Sequence, residues 1–487
     1  MPASPSTARA INDRLALGLL QREGPLTAGQ LKQLTGLSRP TVADLVERLS
    51  ASGLIRVVGE SGEQRRGPNA RLYGIVADRA CLAALDVRTE SVAVLVSDLV
   101  GRVLAEGAVP VGPETGTTAA VEQAVGLVER AVKEAEATGG GRLHTVGIGA
   151  PGLVDPATGE LRDSAALPAW HRRLVAVLQE RFPEARVSVE NETNLAALAE
   201  QREGVARDRD TFVLLWLGDS PGAAVVLDGS LRRGASGGTG EIGFLPVPGT
   251  PALPSATDCS GGYHSLVGAA AITELAERCG MAPFDTAAQA VELAARTTTD
   301  ASDTPPRRAT NGAPDPRPLP RPTFQTDADS AAPPRGAGNG ATGHDAPAPD
   351  GRTVRPSGSL ADADSAAPDR GAGNGATGHD VPALEHRPHL APLAAYSRFL
   401  DELADRIAVG VAAVVAVLDP GCVVLGGEVG PAGGAALAVR VEARLRRMSP
   451  MATEVRASTL GGAAVLRGAL LTARERAQDD LFAPPDR

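Results

Sequence analysis

The chain has 487 residues, too many for one ordinary core, so several domains are expected. Hydrophobic residues make up 43% and aromatic residues only 2%, which calls for aliphatic cores. The net charge of −10 is uneven: residues 1–80 hold 11 Lys and Arg against 7 Asp and Glu, a net of +4, and the remainder carries −14. A basic module that meets a polyanion, placed ahead of an acidic body, has this pattern. The four cysteines (Cys81, Cys259, Cys279 and Cys422) are scattered, which argues against a disulfide framework and for a reducing, cytoplasmic setting. No apolar run reaches the roughly 18 residues of a membrane span, and charges flank "LALGLL" on both sides, against a signal peptide.

Three helical patterns open the chain. In the first, Ile11, Leu15 and Leu19 recur four apart and share a face. It stops at "REGPLT", where Gly24 and Pro25 break it and Thr27 can cap the next helix. The second is short, with Leu31 and Leu34 as its buried residues, and ends at Gly36. The third opens on Ser38 as N-cap and tolerates Pro40 in its first turn; Val42, Leu45, Val46 and Leu49 form its buried face. Two helices joined by "TGLS" make a helix-turn-helix, which places Ser38, Arg39, Pro40, Thr41 and Asp44 at the major-groove end. Two β-type runs, 54–58 and 71–75, then flank a Gly- and Arg-rich loop. This is a winged hairpin whose Arg65, Arg66 and Arg71 would reach phosphates or the minor groove. Residues 1–78 are therefore read as a winged helix-turn-helix for double-stranded DNA, on the whole footprint and not on any one element.

The body follows over 79–205, 206–297 and 386–475, with a tail at 476–487. "CLAALDVRTESVAVLVSDLVGRVLAE" predicts two strands, and "HTVGIGAPGLVD" a strand ending in a Gly/Pro loop. "RVSVENETNLAALAE" predicts a strand and then a helix from about Asn194. "TFVLLWLGDSPGAAVVLDGSLRRGASGGTGEIGFLPV" predicts a hairpin with glycines at its tip. "AVVAVLDPGCVVLGGEVG" predicts a helix, a strand and a glycine turn. Strand hairpins followed by helices, given twice, predict two α/β lobes across a cleft. Between them, 298–385 turns to Pro, Gly, Ala, Asp and Thr. There "DADSAAPPRGAGNGATGHD" at 327–345 recurs as "DADSAAPDRGAGNGATGHD" at 362–380. Neither copy has an apolar face to bury, so a disordered, duplicated insertion is expected rather than a solenoid, with His344 and His379 solvated.

Four body stretches resemble the ROK family (repressor, open reading frame, kinase): "GAPGLVDPATGEL", "VENETNLAALAE", "LDGSLRRGASGGTGEIG" and "LDPGCVVLGGEVG". The resemblance implies a two-lobed, actin-like/ribonuclease H-like sugar-kinase fold, α/β in class, and in the regulator branch a winged helix in front. It also implies two phosphate loops. In the first, the family's glycines are replaced, giving Asp86-Val87-Arg88-Thr89; the second survives in part as Gly218 and Gly222. The family's base is an aspartate after an asparagine, and here the pair is Asn191-Glu192. Of the sugar shell, Glu241 is kept, Ala166 stands for an asparagine and Phe244 for a histidine. Of the family's zinc ligands only Cys259, with His264 in another's place, remains; Thr257 replaces a cysteine, and two ligands do not close a tetrahedral site. Packing of Phe244 and Tyr263 is the expected substitute for that metal.

The reading that follows is a cytoplasmic DNA-binding regulator, by family expectation a repressor of carbohydrate-related genes, acting as a homodimer or homotetramer on an operator. Asn191, Glu192 and Glu241 are its candidate contacts for a sugar-type effector, and Glu192 is a vestigial base. No catalysis, cofactor, metal or membrane partner is expected. The alternative is an ATP-dependent sugar kinase with Glu192 as base.

Overall fold

The computed structural model describes residues 5–61, 70–162, 167–250, 252–256, 260–303 and 391–482. The front holds α1 (Pro5–Glu23), β1 (Leu26–Thr27), α2 (Ala28–Thr35), α3 (Arg39–Ala51), β2 (Ile55–Ser61) and β3 (Ala70–Ile75). The strands pair in the order β1-β3-β2, so β2 and β3 are the hairpin of a winged helix. Thr27 and Gln30 form a reciprocal capping box at α2, and Gly36 ends that helix in the left-handed conformation. Ser38 caps α3 through the Thr41 amide, and Val42, Leu45, Val46 and Leu49 are all buried as expected.

Two helix faces differ from the sequence expectation. In α1, Ala16, Leu17, Leu19 and Leu20 are buried, while Ile11 is 58% and Leu15 42% exposed. A four-residue step overshoots one turn by about 40°, so the Ile11–Leu15–Leu19 row drifts around the helix and only its last member reaches the core. In α2, Leu31 is buried but Leu34, in the last turn, is 51% exposed.

The first lobe comprises β4 (Cys81–Val87), β5 (Ser91–Asp98), β6 (Val103–Pro110), α4 (Thr117–Ala137), β7 (Leu143–Ala150), α5 (Trp170–Arg181), β8 (Arg186–Asn191) and α6 (Glu192–Arg202). Its strands run in the order β6-β5-β4-β7-β8. Where two strands were expected at its start there are three, because Gly101 takes a positive φ and turns the chain back. The second lobe comprises β9 (Phe212–Leu217), β10 (Gly222–Leu227), β11 (Ser230–Arg232), α7 (His264–Val267), α8 (Ala269–Arg278), α9 (Ala287–Asp303), α10 (Leu393–Leu418), β12 (Cys422–Gly427), α11 (Val429–Met448), β13 (Glu454–Ala457) and α12 (Ala464–Leu481). Its sheet order is β11-β10-β9-β12-β13. Helix α9 runs to Asp303, past the expected start of the insertion at 298. The repeats, with His344 and His379, lie outside the described residues.

Strand alternation sorts the body into layers. Cys81, Ala83, Leu85 and Val87 of β4 face α4 and α5 in one core, and Val213, Leu215 and Leu217 of β9 face α8–α11 in another. The opposite faces, with Ala84, Leu214, Trp216 and Val424, enclose Leu195 and Ala196 of α6 and Val465 and Ala469 of α12. Both helices are thus held between the sheets. The approach is close: a Cβ on Gly147 of β7 would lie 2.6 Å from the Ala469 carbonyl oxygen, and one on Gly468 would overlap the Leu195 carbonyl. Alanine favours a helix over glycine by about 1 kcal/mol. Overpacking is expected to outweigh that at this contact, so Gly468→Ala should lower the unfolding free energy by about 1–3 kcal/mol in a urea titration. A gain in stability would show that α6 and α12 have room to separate.

Candidate functional site

The front module presents the first turn of α3 and the wing strand β3. Ser38 Oγ accepts the Thr41 amide at 3.3 Å and lies 2.7 Å from the Thr41 hydroxyl, which fixes the first turn of α3. Arg39 and Pro40 stand exposed on that turn. Asp44 is exposed but already ion-paired with Arg48, which also reaches Asp13 of α1. Arg48 therefore braces α3 against α1, and Asp44 pairs with it from within α3. Arg71 is exposed on β3. Arg65 and Arg66 lie outside the described residues.

A cavity of about 480 Å³ opens between the lobes, lined in part by Arg88, Thr89, Glu192, Trp216, Gly218, Asp219 and Glu428. Asn191, at the end of β8, caps α6: its Oδ1 accepts the amides of Thr193 (2.9 Å) and Asn194 (3.2 Å). Its Nδ2 donates to the Gly152 carbonyl at 3.1 Å and to Glu192 Oε2 at 2.9 Å. The helix accordingly starts at Glu192, two residues before the expected Asn194. Burial pushes the Glu192 carboxyl up to about 8; a main-chain hydrogen bond and Arg88 pull against this, and Glu241 and Asp86 add to it. The surroundings of this carboxyl therefore favour its protonated form.

Of the three expected ligand residues, only Glu192 lines this cavity. Asn191 spends its amide on the helix cap, and Glu241 lies outside the lining, adding only a lesser upward push to Glu192 beside that of burial. Phe244 is 37% exposed, whereas Tyr263 is fully buried and donates to the Ile407 carbonyl at 3.1 Å. Tyr263 therefore anchors that region together with Ile242 and Val267, and the half-exposed Phe244 is not part of that core. His264 opens α7; Cys259, Thr257 and Ala166 lie outside the described residues. Among the described residues, no three His, Cys, Asp or Glu side chains are grouped to hold a metal.

Sequence reasoning missed Trp216 and Glu428, and took Arg88 only as a lost glycine. Arg88 Nε donates to Asp86 Oδ1 at 2.8 Å and Nη1 to Glu428 Oε1 at 2.6 Å, and the guanidinium lies 5.4 Å from the Trp216 ring centroid. Burial works against the Arg88 charge, and Asp86 and Glu428 more than offset it. A second tie crosses nearby: Arg233 Nε donates to Glu190 Oε2 at 2.6 Å, while Glu190 Oε1 accepts from Asn194 at 2.9 Å. A charged residue in place of a loop glycine was the available signal for Arg88. Its partner lies 340 positions away and left no local trace.

The ROK family model matches residues 82–303, and the MarR family model matches residues 11–67. Residues 82–303 form a ROK family domain behind a MarR-type winged helix. Curated relatives include the xylose repressor of Caldicellulosiruptor bescii, 26% identical over 239 residues, which is 49% of this chain and 59% of the relative. The DNA-binding transcriptional dual regulator NagC of Escherichia coli is 26% identical over 247 residues, 49% of this chain and 58% of the relative. The matched region thus spans somewhat over half the length of these relatives. Among solved structures, a ROK family transcriptional regulator, homolog of E. coli MLC protein, superposes with a TM-score of 0.63 at 16% identity, covering 98% of both chains. The ROK hexokinase from Thermus thermophilus gives 0.51 at 23% identity, covering 82% of this chain and 99% of that one. At these identities the likeness is one of fold, and it extends over winged helix and ROK body together. No described helix is long and apolar enough to cross a membrane.

The Glu192 carboxyl gives the ROK cleft a pH signature. Its folded-state value, about 8, exceeds its ordinary value of 4.5. The folded chain then keeps a proton that the unfolded chain releases, so this group's contribution to stability declines as pH rises from about 4.5 to 8. Glu192→Gln removes the dependence. The melting temperature of the variant, relative to wild type, should be higher at alkaline than at mildly acidic pH. An offset independent of pH would mean that the carboxyl titrates normally.

Proposed function

We propose that this chain is a DNA-binding transcriptional regulator, a repressor of carbohydrate-related genes, whose ROK body senses a small effector rather than phosphorylating one. The observation that carries the reading is the front module: a capped α3 with Arg39 exposed at its first turn, and a wing strand carrying exposed Arg71. A recognition helix needs this geometry to enter the major groove, and a wing needs such a cation to hold phosphate. The repressor names of the curated relatives support the same reading. In the cleft, a side chain occupies the loop where close phosphate approach calls for glycine, which supports loss of catalysis. One reading head per chain suits a homodimer or homotetramer on a pseudo-palindromic operator.

A route from cleft to reading head is available through α12. It packs on α6, whose first residue is Glu192, and its far end meets α1. There Gln478 donates to Gln21 at 3.0 Å, and Arg14 pairs with Asp479. Gln21 also donates to the Val100 carbonyl of the first lobe at 3.0 Å. An effector that favours one lobe arrangement could shift operator affinity along this helix, to the extent of its differential affinity for the two arrangements.

The test is capture of genomic fragments by the full-length protein, with exposed positions altered so that the fold is kept. Arg39→Ala should cost about 1–3 kcal/mol on captured sites and relax their sequence preference. Arg71→Ala should weaken capture of all sites alike and lower the salt slope by about 1. Wild-type capture should fall steeply between about 50 and 200 mM salt. No specific fragment in any sample, together with hexose phosphorylation from ATP that Glu192→Gln abolishes, would replace this reading with the kinase.

A further inference from the structure

The inter-lobe cavity contains its own ion pair, placed where a ligand's charges would lie. Arg88 stands in the loop after β4 of the first lobe; Trp216, on β9, and Glu428, at the N-terminus of α11, belong to the second. One guanidinium therefore bonds Asp86 on its own side of the cleft and Glu428 on the other, over the indole face. Planar, multi-donor arginine is suited to such a bridge, and partial burial makes it stronger than a fully exposed pair. The aromatic face adds a cation–π attraction.

Glu428 is placed as specifically. A Cβ on Gly218 would lie 2.5 Å from Glu428 Oε2 and 2.9 Å from Trp216 Nε1. The bare backbone at Gly218 is the kind of surface that lets an oxyanion approach closely. Here a carboxylate of the chain itself lies against it, held from the residue that precedes α11, a helix whose dihedrals break at Gly434. Among the described residues lining the cavity, Arg88 is the one cation, against the carboxylates of Glu90, Asp219 and Glu428. A polyphosphate would have to displace Glu428 from Gly218, break its bond to Arg88, and remain beside the other carboxylates.

We propose that the Arg88–Glu428 pair sets what the cleft accepts: the Glu428 carboxylate fills the seat of a ligand phosphate on Gly218 and Arg88 supplies its counter-charge, so the lobes close without a nucleotide and the cleft admits only ligands lacking a polyphosphate. The proposal rests on the effector-sensing reading only in taking this cleft as the ligand site. It adds two specificity-determining residues and an excluded ligand class.

The experiment uses the full-length protein as wild type, Glu428→Gln, Arg88→Gly and the double variant Arg88→Gly/Glu428→Gly. Each is titrated calorimetrically with the magnesium complex of AMPPNP, and followed by hydrogen exchange over 86–92, 214–222 and 426–433. Wild type should give no saturable binding at millimolar nucleotide. The double variant should gain saturable binding at least about tenfold tighter than any residual wild-type affinity. Exchange in 214–222 and 426–433 should rise about fivefold or more in both single variants as the bridge is lost. Saturable binding by wild type would overturn the proposal. So would a double variant with wild-type circular dichroism that remains blind to nucleotide, or near-isosteric Glu428→Gln exchanging like wild type. DNA capture by the same samples keeps the two readings apart: if capture persists while nucleotide exclusion fails, only this proposal falls.

Discussion

The close seating of α12 between the two sheets is the contact on which the rest of the architecture depends. Strand β7 presents glycines on its inner face, and Gly468 of α12 meets the backbone of α6 at Leu195. Side chains at these points would push the helix away from both neighbours. With them absent, one helix packs on β4, β7 and α6 along its length, and its far end reaches the winged helix. Ala473 and Ala477 share a core with Leu17, Leu20 and Leu45 of the front module, and with Leu82 and Leu99 of the first lobe. The winged helix is thus built onto the ROK body through an apolar core, with the Gln21–Gln478 and Arg14–Asp479 contacts at its edge.

The same layering explains the charge balance of the cleft. The N-terminal ends of α6, α8, α9 and α11 all contribute to its lining, through Glu192, Ala269, Ala287 and Val429. Helix ends of this polarity favour anions. The chain meets several of them internally: the Asn191 side chain caps α6, the Asp219 carbonyl accepts the Ala269 amide, and Glu428 stands immediately before α11. Burial favours the protonated form of Glu192 against the pull of the main chain and Arg88. A site furnished in this way has less use for a polyanionic ligand than its helix polarity alone implies.

Much of this was legible in local sequence wherever a local rule governs. Caps at Thr27 and Ser38, the glycine stop at Gly36 and the face of α3 all follow from spacing and from hydrogen-bonding capacity. The ROK motifs located the strand ends around the cleft. What local rules could not supply is which of two apolar rows a short amphipathic helix buries. On α1 the tertiary partner α12 decided for Leu17 and Leu20 over Ile11 and Leu15. Nor could they distinguish Asn191 as a ligand contact from Asn191 as a helix cap, because the same side chain suits both until the Thr193 and Asn194 amides are placed. Phe244 was read as packing in place of a histidine, yet the fully buried aromatic is Tyr263, whose hydroxyl finds a main-chain carbonyl on α10. The Arg88–Glu428 bridge joins residues far apart in the chain and becomes visible only when the lobes face each other.

Coupling between cleft and winged helix then reduces to a question of which contacts change together. The Arg88–Glu428 and Arg233–Glu190 bridges tie the lobes on either side of the α6 N-terminus. Moving one lobe relative to the other must strain these bridges, shift α6, or both. Helix α6 cannot shift far without carrying α12, because their backbones touch at Leu195 and Gly468 with no side chain between them to absorb the motion. Helix α12 in turn cannot move without disturbing Ala473, Ala477 and Gln478, which hold α1. Close-packed interiors transmit such displacements because they deform little. Rearranging the lobe bridges therefore bears on the seating of the winged helix, while filling the cleft without touching them leaves that seating as it was.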